Sequence, residues 1–202
     1  MAARKRAQMV EETRAKLIQA ARKAFAAKGY AASSMDDLTA AAGLTRGALY
    51  HNFGDKKGLL QAVIDQMDAE MLVRMRAARE KADGAWLGFM EESIAYMEMA
   101  LEPEIQRIML LDGPAVLGDP SQWPNQNACL RTTMETIQAL IEEGTVRPVD
   151  AEAAARLLNG AALNAALWIA AADDSRAVFE KVVDAFRSLA EGLLRKPSHA
   201  GD

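Results

Sequence analysis

The sequence predicts an all-α fold, and three observations predict it. Half of the 202 residues are apolar and aromatics are few, while Ala, Leu and Met abound, a balance that favours helix over sheet. No β-branched alternating run of strand length occurs, and apolar residues recur instead at spacings of three and four between glycine and proline breaks. The charge is divided along the chain as well. Up to Leu59 there are eleven Lys and Arg against five Asp and Glu, a net charge of +6, whereas the remainder carries −10, so the overall −4 conceals the division. A basic first third beside an acidic remainder points to a polyanion as partner of the first part.

Residues 1–9 are basic, with Arg4, Lys5 and Arg6, and lack periodicity. They read as an arm that either tracks phosphates or a minor groove, or stays solvated. Over 10–28, Leu17, Ile18, Ala21, Ala24 and Phe25 share one stripe, and Gly29 stops this first helix. Ser33 and Ser34 each precede an aspartate by three residues, a weaker form of the capping box, and Met35, Leu38 and Ala42 supply the buried side of a short second helix. Gly43 turns the chain. Thr45 caps a third helix, with Leu44 and Leu49 placed as a hydrophobic staple that fixes its entry angle. Helix, glycine turn and helix over 35–53 have the spacing that lays a short helix in a DNA groove, so 10–60 is read as a helix-turn-helix domain.

Asp55 caps a fourth helix, whose stripe of Leu60, Val63, Ile64, Met67, Met71 and Met75 persists to about Lys81. That is roughly 39 Å at 1.5 Å per residue, long enough to join two domains. In the second domain, 61–202, helices are expected at 85–101, 104–111, 125–143, 150–172 and 175–195. Three prolines and two glycines make 112–124 a loop.

Gly29-Tyr30, Ser33-Ser34-Met35-Asp36-Asp37-Leu38, the block from Ala42 to Phe53 and Asp55-Lys56-Lys57-Gly58-Leu59 together resemble the TetR/AcrR family of transcriptional regulators. The resemblance covers about residues 10–60; beyond it lie a similar helix count and the loop 111–118 that some members share. It implies a DNA-binding domain, a second domain for ligand binding and dimerisation, a homodimer on an operator palindrome, and release of DNA when a small molecule binds. Most members of such a family are repressors.

Thr45 and Arg46 stand at the start of the predicted groove helix, where side chains meet base edges, and Gly47 and Ala48 are small enough for the backbone to approach DNA. Tyr50 and His51 match family positions that touch the backbone or bases. Lys56, at the start of the fourth helix, is placed to hold a phosphate. Ser33 either contacts phosphate or caps a helix.

In the second domain, Gly160 among small residues on 150–172 and the stripe Phe179, Val182, Phe186 and Leu189 on 175–195 suit a dimer interface, or else face their own core. Trp86, Met90, Met97, Met109, Trp123, Met134 and Trp168 make an adaptable apolar lining for a hydrophobic effector. Asn164, like Asn159, is an amide on an apolar helix that either orients a ligand, bonds across a dimer or bonds to backbone.

The longest uninterrupted apolar stretch, 165–172, falls far short of the roughly 18 residues of a membrane span. The polar residues after Arg6 break any signal-peptide core, and the one cysteine, Cys129, fits a reducing compartment, so a cytoplasmic protein without a membrane partner is expected. No zinc-like cluster, phosphate loop or nucleophile elbow occurs, which argues against a helical enzyme and for a protein without cofactors. A ligand-blind architectural DNA-binding dimer is the other alternative.

Overall fold

Among the described residues, 2–195, the computed structural model is helical apart from turns and one isolated antiparallel bridge between Val146 and Leu194. Met1 and residues 196–202, the ends of the expected arm and of the second domain, lie outside them. The chain forms two compact units. Met1–Glu70 joins Glu102–Asp119 in the first, and Met71–Leu101 joins Pro120–Asp202 in the second.

In the first unit, helix α1 (Ala2–Ala32) starts well before residue 10, so the expected arm is helical. Ala, Arg, Lys, Gln and Met are strong helix formers with no breaker among them, and bonds such as Gln8 to Glu12 and Thr13 Oγ1 to the Met9 carbonyl tie the exposed turns together. Regular geometry fails at Gly29, whose φ of 80° and ψ of 167° lie outside the helical region. Helices α2 (Met35–Ala42), α3 (Arg46–Phe53) and the first part of α4 (Lys56–Glu80) follow. Leu17 and Phe25 of α1, Leu38 of α2, Leu49 of α3 and Leu60 and Ile64 of α4 are fully buried.

The compact unit does not follow the expected boundary at 60/61, because it runs to Glu70 and takes in Glu102–Asp119. A π-helical segment (Gln106–Asp112) packs on α1, and the short helices α6 (Pro103–Ile105) and α7 (Gly113–Leu117) pack against that segment in the first unit; together they take up the first part of the predicted 112–124 loop. Pro114 is tolerated because it lies in the first turn of α7, where no intrahelical N–H is required. Arg22 fastens the segment to α1. Its Nε and Nη2 donate to the two carboxylate oxygens of Glu104 at 2.9 and 2.8 Å, and Nη1 donates to Glu70 of α4 at 2.8 Å. The hydrogen bond to Glu104 is the largest influence on the guanidinium and raises its pKa, against the lowering effect of burial.

The second unit contains the end of α4, α5 (Ala85–Met99), α8 (Pro124–Glu142), α9 (Ala151–Ala171) and α10 (Ser175–Glu191). Its core includes Phe89, Met97, Ile137, Leu140, Ile169 and Phe186. Arg79 donates to Glu92 and to Thr136 Oγ1, both at 3.0 Å, which joins α4, α5 and α8 within this unit.

Gly29→Ala should destabilise the chain, because φ is positive there and an added Cβ would collide with the Arg107 guanidinium. A loss of about 1–3 kcal/mol in urea unfolding is expected; an unchanged midpoint would show that the break tolerates a side chain.

Candidate nucleic-acid interface

The interface is built by two capped helices. Ser34 Oγ accepts from the Asp37 N–H at 3.0 Å to start α2, Gly43 ends it in the left-handed region at φ 66°, and Thr45 Oγ1 accepts from the Ala48 N–H at 3.2 Å to start α3. Each oxygen satisfies a backbone donor that would otherwise be free at a helix start. Leu49 then anchors α3 from within. Thr45, Arg46, Gly47, Tyr50 and His51 are exposed at its beginning and along one face, and Tyr50 is 55% exposed, unusual for a large aromatic ring.

At the far end of α3, Arg14 Nη1 donates to the Asn52 carbonyl at 2.7 Å while its guanidinium lies 4.5 Å from the centre of the Phe53 ring. A cation at a helix C-terminus complements the dipole. The sequence reading missed Arg14, whose only local signal is a positive charge on the polar side of the first helix.

Two expected DNA contacts are turned inward instead. Lys56 Nζ donates to the carbonyls of Tyr30 at 2.8 Å and Ser33 at 2.9 Å and sits 4.0 Å from the centre of the Tyr30 ring. Two of the three ammonium donors are thus engaged within the unit, which argues against the expectation that Lys56 holds a phosphate. Ser33 is fully buried and its Oγ donates to the Gly29 carbonyl at 2.8 Å, which removes it from the phosphate-contact set as well. Burial first, and the Asp55 charge second, push the Tyr30 phenol above its ordinary pKa.

The C-terminal set divides likewise. Met90, Met97 and Trp123 are buried and Trp86 and Met134 are half-buried in the second unit, whereas Met109 is buried in the first. Asn164 is exposed and Trp168 is 54% exposed, on the face of α9 shared by Leu157 and Gly160, so these two are withdrawn from an internal pocket. Conversely, Phe179, Val182 and Phe186, expected at a dimer interface, are buried within the unit, while Leu189 stays 65% exposed.

Met134 also edges a surface groove of about 450 Å³ that includes Glu135, Glu142, Asp150 and Glu152, an acidic lining unlike the expected apolar one. Asn159 accepts from Thr133 Oγ1 at 3.1 Å, the structural use of that amide. The buried Trp123 Nε1 has no hydrogen-bond partner among the described residues. Among the described residues no group of His, Cys, Asp and Glu is arranged to hold a metal ion, and no helix is long and apolar enough to cross a membrane.

A capped helix-turn-helix with an exposed second helix, beside a separate helical unit, defines a DNA-binding transcriptional regulator. Two family profiles place it further: residues 17–63 match the bacterial regulatory proteins of the tetR family, and residues 86–193 match a tetracyclin repressor-like C-terminal domain. The chain belongs to the TetR family, whose members are transcriptional regulators and not enzymes.

The crystal structure of a TetR-family transcriptional regulator from Pectobacterium atrosepticum is 51% identical and superposes with a TM-score of 0.85 over 94% of this chain and 98% of that one. The HTH-type transcriptional regulator TtgR of Pseudomonas putida is 34% identical over 100 residues, 48% of each chain. UidR of Escherichia coli is 28% identical over 134 residues, 66% of this chain and 64% of its own length. The match with TtgR thus spans about half the length of that curated relative.

Lys56→Ala should lower stability by about 1–3 kcal/mol in urea unfolding, since two partly buried carbonyls lose a charged donor. The salt dependence of duplex binding should keep its slope. A slope reduced by about 0.9 would instead restore Lys56 to the phosphate contacts.

Proposed function

We propose that the chain is a repressor that binds a palindromic operator as a homodimer, in the cytoplasm, and leaves it when a small, largely apolar molecule occupies the C-terminal unit. The observation that carries the DNA part is the division of labour on α3. Leu49 and the caps hold the helix from inside, and Arg46, Gly47, Tyr50 and His51 are left outward. A helix so held can enter the major groove as a rigid element, and rigidity is what turns side-chain identity into base preference.

A second copy of the chain suits the outward face of α9, where Leu157 (75% exposed), Gly160, Asn164 and Trp168 recur at helical spacing, extended by Leu189 of α10. Gly160 has open space around the position of a Cβ, so a partner helix can approach closely there. Two copies related by a twofold axis would read the two halves of a palindrome.

For the effector, the buried Met90 and Met97 would offer an adaptable apolar wall, and the Trp123 N–H, without a partner among the described residues, would favour a molecule with one hydrogen-bond acceptor. Ligand response follows from population shift, since a molecule that binds better to one arrangement draws the chain toward it. The backbone leaves the DNA-binding unit at Glu70, returns at Glu102 and leaves again at Asp119, so a change in the second unit is passed along the chain at three places.

Selection of bound duplex from a random pool should return one short palindrome, and sequence-blind coating would favour the architectural alternative. Trp168→Asp should give a folded monomer that no longer binds the palindrome, whereas Phe186→Asp should unfold the second unit. Light scattering that shows Trp168→Asp still dimeric would remove α9 from the interface.

A further inference from the structure

We infer that Asp36 is a positioning residue for Arg46, and that the pair reads a guanine in each operator half-site. The inference rests on the reading of α3 as the groove helix. Arg46 is the first residue of α3, directly after the Thr45 cap, and so occupies the part of a groove helix that meets base edges. Its side chain does not extend freely. Both oxygens of the Asp36 carboxylate, on α2, accept from it, Oδ1 from Nε and Oδ2 from Nη2. The adjacent Asp37 is engaged elsewhere: its carboxylate pairs with Lys28 at 3.0 Å, and its backbone N–H donates the cap bond to Ser34 Oγ.

The chemistry of the pair determines what remains. A guanidinium carries five N–H donors in a fixed planar fork, and a carboxylate on the Nε/Nη2 edge leaves the Nη1/Nη2 edge with two parallel donors. Those donors match O6 and N7 of guanine in the major groove. Asp36 also offsets the charge of Arg46 and would repel a nearby phosphate, so it biases the arginine away from sequence-blind backbone contacts and toward a neutral base edge. Stability is not the reason for the pair. Both side chains are more than half exposed, and such surface ion pairs add little to folding. Gly47, next along the helix, presents no side chain to keep the backbone from the groove.

The test is selection of bound duplex from a random pool by the intact chain and by Arg46→Ala, Asp36→Ala and the double variant, with melting temperatures measured alongside. The unaltered chain should retain one guanine in each half-site and discriminate against other bases there by about 5- to 150-fold. Arg46→Ala should lose that preference, and Asp36→Ala should relax it at the same position only. The double variant should match Arg46→Ala, because Asp36 acts through the arginine. Asp36→Asn keeps the shape of the residue without its charge and serves the same comparison if Asp36→Ala loosens the start of α2.

A guanine retained by Arg46→Ala overturns the inference. So does an Asp36 variant that binds all DNA more tightly with its base preference unchanged, since the carboxylate would then act only by repulsion. Failure of the unaltered chain to select any motif would overturn the groove-helix reading itself, a result distinct from either.

Discussion

The break in α1 at Gly29 is the constraint on which the DNA-binding unit depends. A left-handed glycine ends the regular hydrogen-bond ladder and leaves backbone groups that must find other partners inside the unit. They find them in the π-helical segment, in α4 and in the link between α1 and α2. The Tyr30 N–H donates to Asp112 of the π-helical segment at 2.7 Å, the Gly29 carbonyl accepts from Ser33, and the carbonyls of Tyr30 and Ser33 accept from Lys56 of α4. Arg107, 3.5 Å from Asp112, lies over the glycine where any other residue would place a side chain. One change of backbone direction therefore fixes the start of α2, the seat of α4 and the attachment of residues 102–119 together.

This constraint also explains how charge is used on the basic third of the chain. A positive residue near a DNA-facing helix is commonly counted toward the polyanion, yet Arg14, Arg22 and Lys56 are engaged with backbone carbonyls or carboxylates of their own unit. Satisfying a buried carbonyl with a charged donor is worth more than a solvated contact, so these residues serve the fold first. What remains outward on α3 is fewer in charge and more directional. The arginine there is held by a carboxylate, and its neighbours are a glycine and an exposed tyrosine.

In the second unit the same helical period supports two faces at once. On α9, Ala155, Leu158, Ala162, Ala166 and Ile169 turn inward, while Leu157, Gly160, Asn164 and Trp168 turn outward. Two interleaved apolar stripes on one helix fit a helix that packs on both sides, with one side supplied by its own chain. On α10 the balance differs, because the large apolar residues Phe179, Val182 and Phe186 fill the core and leave a mainly polar exterior with Leu189.

The sequence by itself determined the helical class, the positions of nearly every helix, the caps Ser34, Thr45 and Asp55, and the outward residues of α3. These are local properties: a period of 3.6 residues, a side-chain oxygen within three residues of a free N–H, and a glycine at a left-handed turn all act over one or two turns of chain. Only the tertiary structure decided that Lys56 and Ser33 face inward, that residues 102–119 complete the first unit, and which of two apolar stripes on α9 is buried. Most of those outcomes depend on a partner far away in sequence, as Tyr30 is from Lys56 and Glu104 is from Arg22. Periodicity states that a residue shares a face with its neighbours, but the element that covers that face is chosen by packing across the whole unit.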